Sequence, residues 1–446
     1  MNLFNKIPGY ILYVLNELGQ QSYKSYLVGG CVRDLLLYRE PKDYDITTSA
    51  LPEQVKSIFP HVVLTGEKHG TVTVVTDQGN VEVTTMRHDG VYKDCRRPET
   101  VEFTDDIVQD LSRRDFTINA IAVDTTGKIV DPFNGLEFLH RGCIQTVGSA
   151  DDRFNEDALR LVRAARIACQ LNFMIEGNVV HSILKNRTLI KNVSIERIRD
   201  ELCKILTSNR PSWGIELLRI TRLLDLILPE VSNMIDFDQH NPNHHKDVYE
   251  HTLLVLDNVS NNLILRLAAL LHDIGKPISF TLGEDGTGHF YRHHMIGMDM
   301  TKEILQRMKF DNKIIDTVSL LVKEHMSRYD FLRTPNIKRF INRIGIDNLN
   351  GLFELQIADI KASKPPHNIN GVLKLKKDVE KVLKEKQPLK VKDLKINGYD
   401  LIALGMKPGK EMGLLLNELL ELVLESPELN DKDYLINYVK KKNNGL

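Results

Sequence analysis

The period of apolar and polar positions changes along the chain. Between residues 26 and 150 the apolar runs are short and β-rich: YLVGG, DYDIT, VVLTG, GTVTVVT and NVEVTTM, with a helical CVRDLLLY after the first. Short runs bounded by turns, with interspersed helix, predict an α/β or α+β domain. From Asn155 to about Leu228 the period lengthens, and in EDALRLVRAARIACQL the residues Leu161, Ala164, Ala165 and Ala168 recur at helical spacing. A histidine-rich helical region follows from about Asp236 to Ser363, and beyond KPPH at 364–367 a lysine-rich stretch leads into a final helical segment. The expected architecture is a multidomain α/β + α chain, an N-terminal domain with a small sheet at 1–150 and all-helical domains at 151–235, 236–363 and 364–446.

Length agrees with several domains, since 446 residues at roughly 150 per domain make about three cores. Apolar residues at 42% and charged residues at 27% are globular values, and no apolar run nears the ~20 residues that cross a bilayer. The start, MNLFNKIPGYILYVLNEL, has helical spacing and lacks a small-residue cleavage site, so the expected location is the cytoplasm, with no membrane. Net charge is −1, so any site for a polyanion is local rather than a property of the whole chain. The one basic segment, Lys361 to Lys395, holds 11 lysines against 4 acids, and its composition reads first as a solvated helix face. Cys31, Cys95, Cys143, Cys169 and Cys203 form no C-x-x-C pair and are expected to be reduced and structural.

The first chemical constellation is LVGG, VRD and then DYD at 43–45. Strand side chains alternate, so Asp43 and Asp45 are expected on one face, where two carboxylates can hold one or two Mg²⁺. Gly29 and Gly30 precede a helix start, where backbone amides can approach phosphate oxygens, and Arg33 adds a charge one turn later. D-x-D alone is more often a turn or surface feature; the order strand, Gly-Gly, helix, strand, D-x-D within 20 residues is far more specific. Glu82 in VEVTTM is either a third carboxylate on a neighbouring strand or a solvent-facing strand residue. The chain has no G-x-x-x-x-G-K-[ST] loop, which excludes a P-loop nucleotide hydrolase.

The run GGCVRDLLLYREPKDYDITTSA, with DLSRRDFTINAIA at 110–122, DPFNG at 131–135, EDALRLVRAAR at 156–166, SIERIRDEL at 194–202 and INGYDLIALGMKPGKEMG at 396–413, resembles the bacterial tRNA nucleotidyltransferases. These are the CCA-adding and poly(A) polymerase enzymes of the DNA polymerase beta superfamily, and the resemblance covers most of the chain. It departs at Tyr38, where a glycine is usual, and at Phe138, where an aspartate is usual. The resemblance implies a polymerase-beta-like nucleotidyltransferase head with a small mixed sheet. It also implies that Asp43 and Asp45 bind catalytic Mg²⁺, that Gly30 and Arg33 bind the triphosphate, and that Arg114, Asp115 and Asn119 contact the sugar and phosphates. The partners it implies are CTP, ATP and the tRNA 3′ end, held by a C-terminal tRNA-binding region. The segment 87–103 resembles the family's loop associated with A addition.

In EDALRLVRAAR, Asp157, Arg160, Arg163 and Arg166 recur every three residues, so a continuous helix would bring them near one face. By itself such a row is a salt-bridged surface. Beside the other motifs, Asp157 can accept and Arg160 can donate a hydrogen bond to a base edge. Cytosine and adenine each present an amino donor beside a ring-nitrogen acceptor, whereas uracil and guanine present a carbonyl beside an N–H. One Asp/Arg pair thus admits C and A and rejects U and G, and the family uses this helix as a protein template. Arg163 and Arg166 are expected to face the base or the phosphates.

The second constellation resembles a metal site. His251 lies 20 residues before the His272–Asp273 pair of ALLHDIGKP, and His293, His325 and Asp359 follow. A lone histidine in an apolar helix is usually a core residue. An adjacent His–Asp pair with spaced histidines resembles the HD phosphohydrolases, which bind divalent metals and hydrolyse phosphate esters, cyclic phosphates at RNA ends included. His251, His272, Asp273 and Asp359 are the main expected ligands of a transition metal, with His293 and His325 beside them and His244, His245, His289 and His294 as bystanders.

The function expected is template-independent addition of C and A to tRNA 3′ ends with release of pyrophosphate. Within the class the alternative is addition of A alone, as by a poly(A) polymerase. From another class, the chain would be chiefly an HD phosphohydrolase acting on RNA ends with a non-catalytic head.

Overall fold

The β-rich runs of the first third pair into one mixed sheet. The computed structural model describes residues 6–66, 70–90, 100–240, 246–329 and 332–443, and the chain divides into two compact units, 1–232 and 233–446. The first unit begins α1 (Gly9–Gln20), β1 (Ser25–Val28), α2 (Gly30–Leu36), β2 (Asp45–Thr48), α3 (Pro52–Ile58), β3 (Val62–Gly66), β4 (Thr71–Thr76) and β5 (Gly79–Thr85). There follow β6 (Arg87–Asp89), β7 (Val101–Phe103), α4 (Ile107–Ser112), β8 (Ala122–Asp124), β9 (Ile129–Val130) and α5 (Gly135–Arg141). The seven-stranded sheet runs β3-β4-β5-β2-β1-β8-β9, with β6 and β7 paired separately. Only β2 and β5 within it pair in parallel; the other neighbours are antiparallel. Alternation sends Leu27, Ile46, Val72, Val81 and Val83 into a core shared with Ile11, Val14, Leu15 and Leu18 of α1. Each such side chain contributes about 2 kcal/mol on burial, which fixes the sheet's register.

Two local features shape the head. Tyr38, where the family has glycine, has φ 59°, the left-handed region in which glycine costs least. Its exposed ring carries the Lys6 ammonium 4.1 Å from the centroid. Phe138 lies within α5, with the Arg141 guanidinium 5.2 Å from its ring centroid.

The unit continues as β10 (Cys143–Ile144), α6 (Ala150–Glu156), α7 (Arg160–Leu171), β11 (Met174–Ile175), α8 (Gly177–Asn186), α9 (Ile195–Leu206), α10 (Pro211–Ile220), α11 (Leu224–Ile227) and α12 (Pro229–Ser232). The sequence pattern predicts one helix through EDALRLVRAAR, and here the structure differs. The chain leaves the helix at Asp157, whose φ and ψ are −139° and 103°. Its carboxylate accepts the Leu159 amide at 3.1 Å and its carbonyl accepts the Arg160 amide at 3.0 Å. An aspartate that bonds its own backbone two residues on competes with the helix and starts a new one.

The second unit comprises α13 (Val248–Asn258), α14 (Leu263–Leu271), α15 (Lys276–Ser279), β12 (Phe280–Leu282), β13 (Gly288–Phe290), α16 (His293–Arg307), α17 (Asn312–Glu324), α18 (Thr334–Ile344) and α19 (Leu349–Ala362). It ends with α20 (Asn370–Lys384), α21 (Gly398–Ala403), α22 (Lys410–Glu425) and α23 (Lys432–Asn443). Helix α13 packs on α14 and α19, and α16 on α17. In α20, Val372, Leu375, Val379 and Val382 are buried while Lys374, Lys377, Lys381 and Lys384 are exposed, so these lysines form a solvated helix face. Cys31, Cys143, Cys169 and Cys203 are free thiols, as expected, and Cys95 lies outside the described residues.

Candidate functional site

The head's carboxylates gather where β1 turns into α2. Asp45 opens β2, opposite Val28 on β1 and Glu82 on β5, so Glu82 shares its face. Asp43 lies two residues before β2 begins, outside the paired stretch, yet its charge bears on both Asp45 and Glu82. Burial pushes the Asp45 carboxyl up, opposed by Arg114 and reinforced by Asp43. Burial, then Asp45 and Asp43, push Glu82 up as well. These oxygen donors carry more negative charge than their surroundings compensate, a fit for a hard divalent cation.

Arg114 closes the turn. Gly29 has φ 81°, and a Cβ there would stand 2.8 Å from Arg114 Nη1 and 3.4 Å from Asp45 Oδ2. Only glycine gives both the backbone conformation and the room. Gly29→Ala is expected to cost about 1–2 kcal/mol of stability and to lower incorporation by roughly tenfold or more through displacement of Arg114. Thermal unfolding and single-turnover incorporation measure the two; an unchanged rate would show that the arginine's position is immaterial. Gly30 begins α2, and Arg33 donates to Asn119 Oδ1 at 2.8 Å and to Asp34 at 2.9 Å.

Beside Arg114 lies a cleft of about 250 Å³ lined by Arg113, Arg114, Asp115, Asp157, Leu159, Arg160, Arg163 and Arg197. Asp157 and Arg160 thus converge despite the helix break. Asp157 Oδ2 accepts from Arg197 at 2.8 Å, leaving lone pairs on both oxygens. Arg160 donates to Glu156 at 2.6 Å and to the Arg113 carbonyl at 2.8 Å. Asp115 accepts from Arg163 at 2.5 and 2.9 Å and from Asn119 at 3.0 Å. Burial opposes its ionisation, yet Arg163 and Asn119 hold its carboxyl well below the usual range. Asp115 and Asn119 thereby brace Arg33 and Arg163. Arg166 is brought elsewhere: it pairs with buried Glu201 of α9 and donates to Gln170 at 3.1 Å, and it does not line the cleft. The break at Asp157 resets the face, so every-third spacing does not extend through all four residues.

Arg113 and Arg197 were not singled out from the sequence as site residues, although both lie inside the quoted motifs DLSRRDF and SIERIRDEL. Buried Asp110 fixes Arg113 by bonds of 3.0 and 2.8 Å. Segment 91–99, within the loop at 87–103, lies outside the described residues.

In the second unit, six side chains from distant positions meet. His251 comes from α13, His272 and Asp273 from the end of α14, His293 from the start of α16, His325 from the end of α17 and Asp359 from α19. His251 Nε2 is 3.0 Å from Asp359 Oδ1 and 3.7 Å from Asp273 Oδ2, and His272 Nε2 is 3.1 Å from Asp273 Oδ2. On the other side, Asp273 Oδ1 is 3.6 Å from His293 Nε2 and 3.8 Å from His325 Nε2. Among the described residues, the metal-capable triplets are His251, His272, Asp273 and Asp273, His293, His325. The secondary pair, His293 and His325, therefore stands about as close to Asp273 as His251 does.

Three of the rings are held in one orientation. The Nδ1 atoms of His272, His293 and His325 lie 2.9, 2.9 and 2.7 Å from the carbonyls of Ala269, Phe290 and Val322, which turns each Nε2 inward. His272 Nε2 is buried and faces the Asp273 carboxylate at 3.1 Å. Burial drives His325 down to about 3, so its imidazole is neutral at physiological pH. Burial opposes ionisation of Asp273 and Asp359, but His272 and Lys276 hold the first well below the usual range, and His251 and Arg328 the second. Burial opposes protonation of His272, yet Asp273 and Asp359 push it up; inward-turned imidazole nitrogens beside ionised carboxylates are a donor set that fits divalent transition metals. Gly275 lets this corner close: a Cβ there would meet the His293 carbonyl at 2.4 Å.

A cavity of about 300 Å³ opens over the cluster, with Asp273, His293 and Asp359 in its floor and Lys276, Arg328, His289 and Met326 in its walls. His289, expected as a bystander, lines it. His294 stands edge-on to His293 at 5.8 Å, and His244 and His245 lie outside the described residues. Lys276 in HDIGKP and Arg328 went unread; Lys276 follows the His–Asp pair by three residues, which was the available signal.

The mixed sheet, the carboxylates at its Gly-Gly turn and the arginine-rich cleft define a nucleotidyltransferase. Residues 25–145 match the poly A polymerase head domain, 172–235 the probable RNA and SrmB-binding site of polymerase A, and 243–345 the HD domain. The CCA-adding enzyme of Ligilactobacillus salivarius is 33% identical over 438 residues, covering 96% of this chain and 95% of that one. That of Geobacillus kaustophilus is 47% identical over 212 residues, 48% of this chain and 52% of that one. The structure of Bacillus stearothermophilus CCA-adding enzyme in complex with CTP superposes with a TM-score of 0.75 at 27% identity, covering 100% of this chain and 98% of that one. The chain belongs to the CCA-adding enzyme family. Among the described residues no helix is long and apolar enough to cross a membrane.

Proposed function

We propose that this chain adds C and A from CTP and ATP to tRNA 3′ ends, with residues 1–150 as catalytic head, 151–235 selecting the nucleotide, 236–363 forming the HD domain and 364–446 holding tRNA. The observation that carries this reading is Arg114, which lies over the turn beside Asp45 and also lines the arginine-rich cleft. It joins the carboxylate cluster to a pocket with five arginines and two aspartates, an excess of positive charge suited to a triphosphate. Asp43 and Asp45, with Glu82 beside them, would hold Mg²⁺. When bound, Mg²⁺ polarises the α-phosphate and neutralises charge developing on the attacking and leaving oxygens. Gly30 and Arg33 hold the triphosphate end, Arg114 and Arg163 neutralise it, and Asp115 and Asn119 keep those arginines aimed. Asp157 and Arg160 read the base. Arg166 supports the packing of α7 against α9. The substrates make the cytoplasm its compartment.

The test is tRNA lacking part of its CCA end, offered each labelled nucleotide separately. End-trimmed tRNA is expected to take C, tRNA ending in CC to take A, and neither to take U or G. Incorporation of A alone on every acceptor would make the chain an A-adding enzyme instead.

A second activity rests on the two triplets sharing Asp273. The HD domain holds a divalent transition metal through His251, His272, Asp273 and Asp359, with His293 and His325 completing the set, and hydrolyses phosphate esters such as 2′,3′-cyclic phosphates at RNA ends. The metal supplies Lewis-acid polarisation of the phosphoryl oxygens. Lys276 and Arg328 contribute positive charge where the ester would sit. Elemental analysis is expected to find at least one transition metal per chain after loading. His272→Ala with Asp273→Ala is expected to reduce it to background and leave nucleotide addition near normal, because the carboxylates of the head belong to the other unit. A wild type with neither metal nor phosphoesterase activity would make the histidines packing residues.

A further inference from the structure

The cavity over the histidine cluster has a wall that phosphate chemistry does not need. His289 on β13 lines it, and Tyr291, just past the end of that strand, stacks on His289 with ring centroids 5.4 Å apart and planes 18° from parallel. Tyr291 is 69% exposed, and Met326, in another wall, is 47% exposed. A tyrosine and a methionine left in solvent beside a polar cavity cost hydration that a packed position would avoid. On the inner side Lys276 donates to Gln239 Oε1 at 2.8 Å, lies 2.8 Å from Asp273 Oδ2 and stands 5.4 Å from the Phe290 ring centroid. Arg328 pairs with Asp359. The cavity thus has a metal-capable floor of histidine and carboxylates, two wall cations each paired with one of those carboxylates, and a flat aromatic rim.

We propose that the His289–Tyr291 pair is a base-stacking plate that makes this site specific for phosphate esters of nucleosides. The proposal rests on the phosphohydrolase reading of the cluster and adds the side chains that recognise the base. The phosphate lies toward Asp273 and Lys276, and the base leaves the cavity against the stacked rings, with Met326 as an adaptable wall. Stacking on an aromatic side chain is tolerant of base identity, since every base has a π-face. The site should therefore prefer nucleotides over base-free sugar phosphates without choosing strongly among A, C, G and U. His289 and Tyr291 are positioning residues, since neither reaches the reacting atoms.

The test is titration calorimetry on the full chain loaded with manganese, with the heat measured on the His272→Ala, Asp273→Ala variant subtracted as the head's contribution. Adenosine 3′-phosphate is expected to bind about tenfold or more tightly than ribose 3-phosphate. Tyr291→Ala and His289→Ala should each remove most of that preference while leaving ribose 3-phosphate binding unchanged, and Tyr291→Phe should restore it. With a 2′,3′-cyclic nucleotide the same alanine variants should raise KM and leave kcat near wild type. Equal affinity for the two ligands, or equal loss of both in Tyr291→Ala, would overturn the proposal. Manganese content, measured separately, tests the parent reading: a chain that takes up no metal fails as a phosphohydrolase, and a base preference that is also absent there overturns the stacking plate.

Discussion

Asp45→Ala is expected to reduce nucleotide incorporation by at least about a thousandfold, on the order of 4 kcal/mol of transition-state stabilisation, and Asp43→Ala to act in the same direction. Both carboxylates would hold the cation that neutralises the reacting phosphates, and Glu82 alone does not replace them. The structure also says what the substitution should not do. Burial and Asp43 already push the Asp45 carboxyl up, so the ionised group is a liability to the folded chain without its cation. Removing it should leave Tm equal or slightly higher. Affinity for tRNA should remain, because backbone phosphate contacts made elsewhere carry it. Wild-type rates in either variant, measured by single-turnover incorporation on end-trimmed tRNA, would remove these residues from the reaction. A collapse in Tm would show that their role is structural.

Asp157→Ala should lower the preference for CTP and ATP over UTP and GTP by about a hundredfold, since a polar site that loses its matching acceptor no longer rejects the wrong edge. The residue has a second role that the measurement must separate. Its oxygens cap the start of α7 through the Leu159 amide and hold Arg197, so the alanine variant should also lose about 1 kcal/mol of stability. Arg197→Met removes the same ion pair and keeps the acceptor. Discrimination that survives in Arg197→Met and fails in Asp157→Ala assigns base reading to Asp157. Equal loss in both assigns it a supporting role only.

The HD cluster illustrates how much a pattern can carry. A His–Asp pair on an apolar helix with further histidines spread over neighbouring helical segments already names the ligand types, because buried imidazole and carboxylate persist together only where something pairs them. The rank among them was not legible. The resemblance put His293 and His325 second, yet both stand within 4 Å of Asp273, because the start of α16 and the end of α17 converge on the same corner.

The sequence by itself determined the order of elements, the Gly-Gly turn followed by a carboxylate strand, and the residue types at both sites. These are local properties: period, turn chemistry and capping are set by neighbours within a few positions. Tertiary structure decided which charges face one another. It sent Arg166 to Glu201 instead of the cleft and brought Arg113 and Arg197 in from separate motifs. It also put Glu82 opposite Asp45 and turned His289 into a cavity wall. A side chain's neighbour across a sheet or between helices lies tens of residues away along the chain, and only the packed backbone selects it.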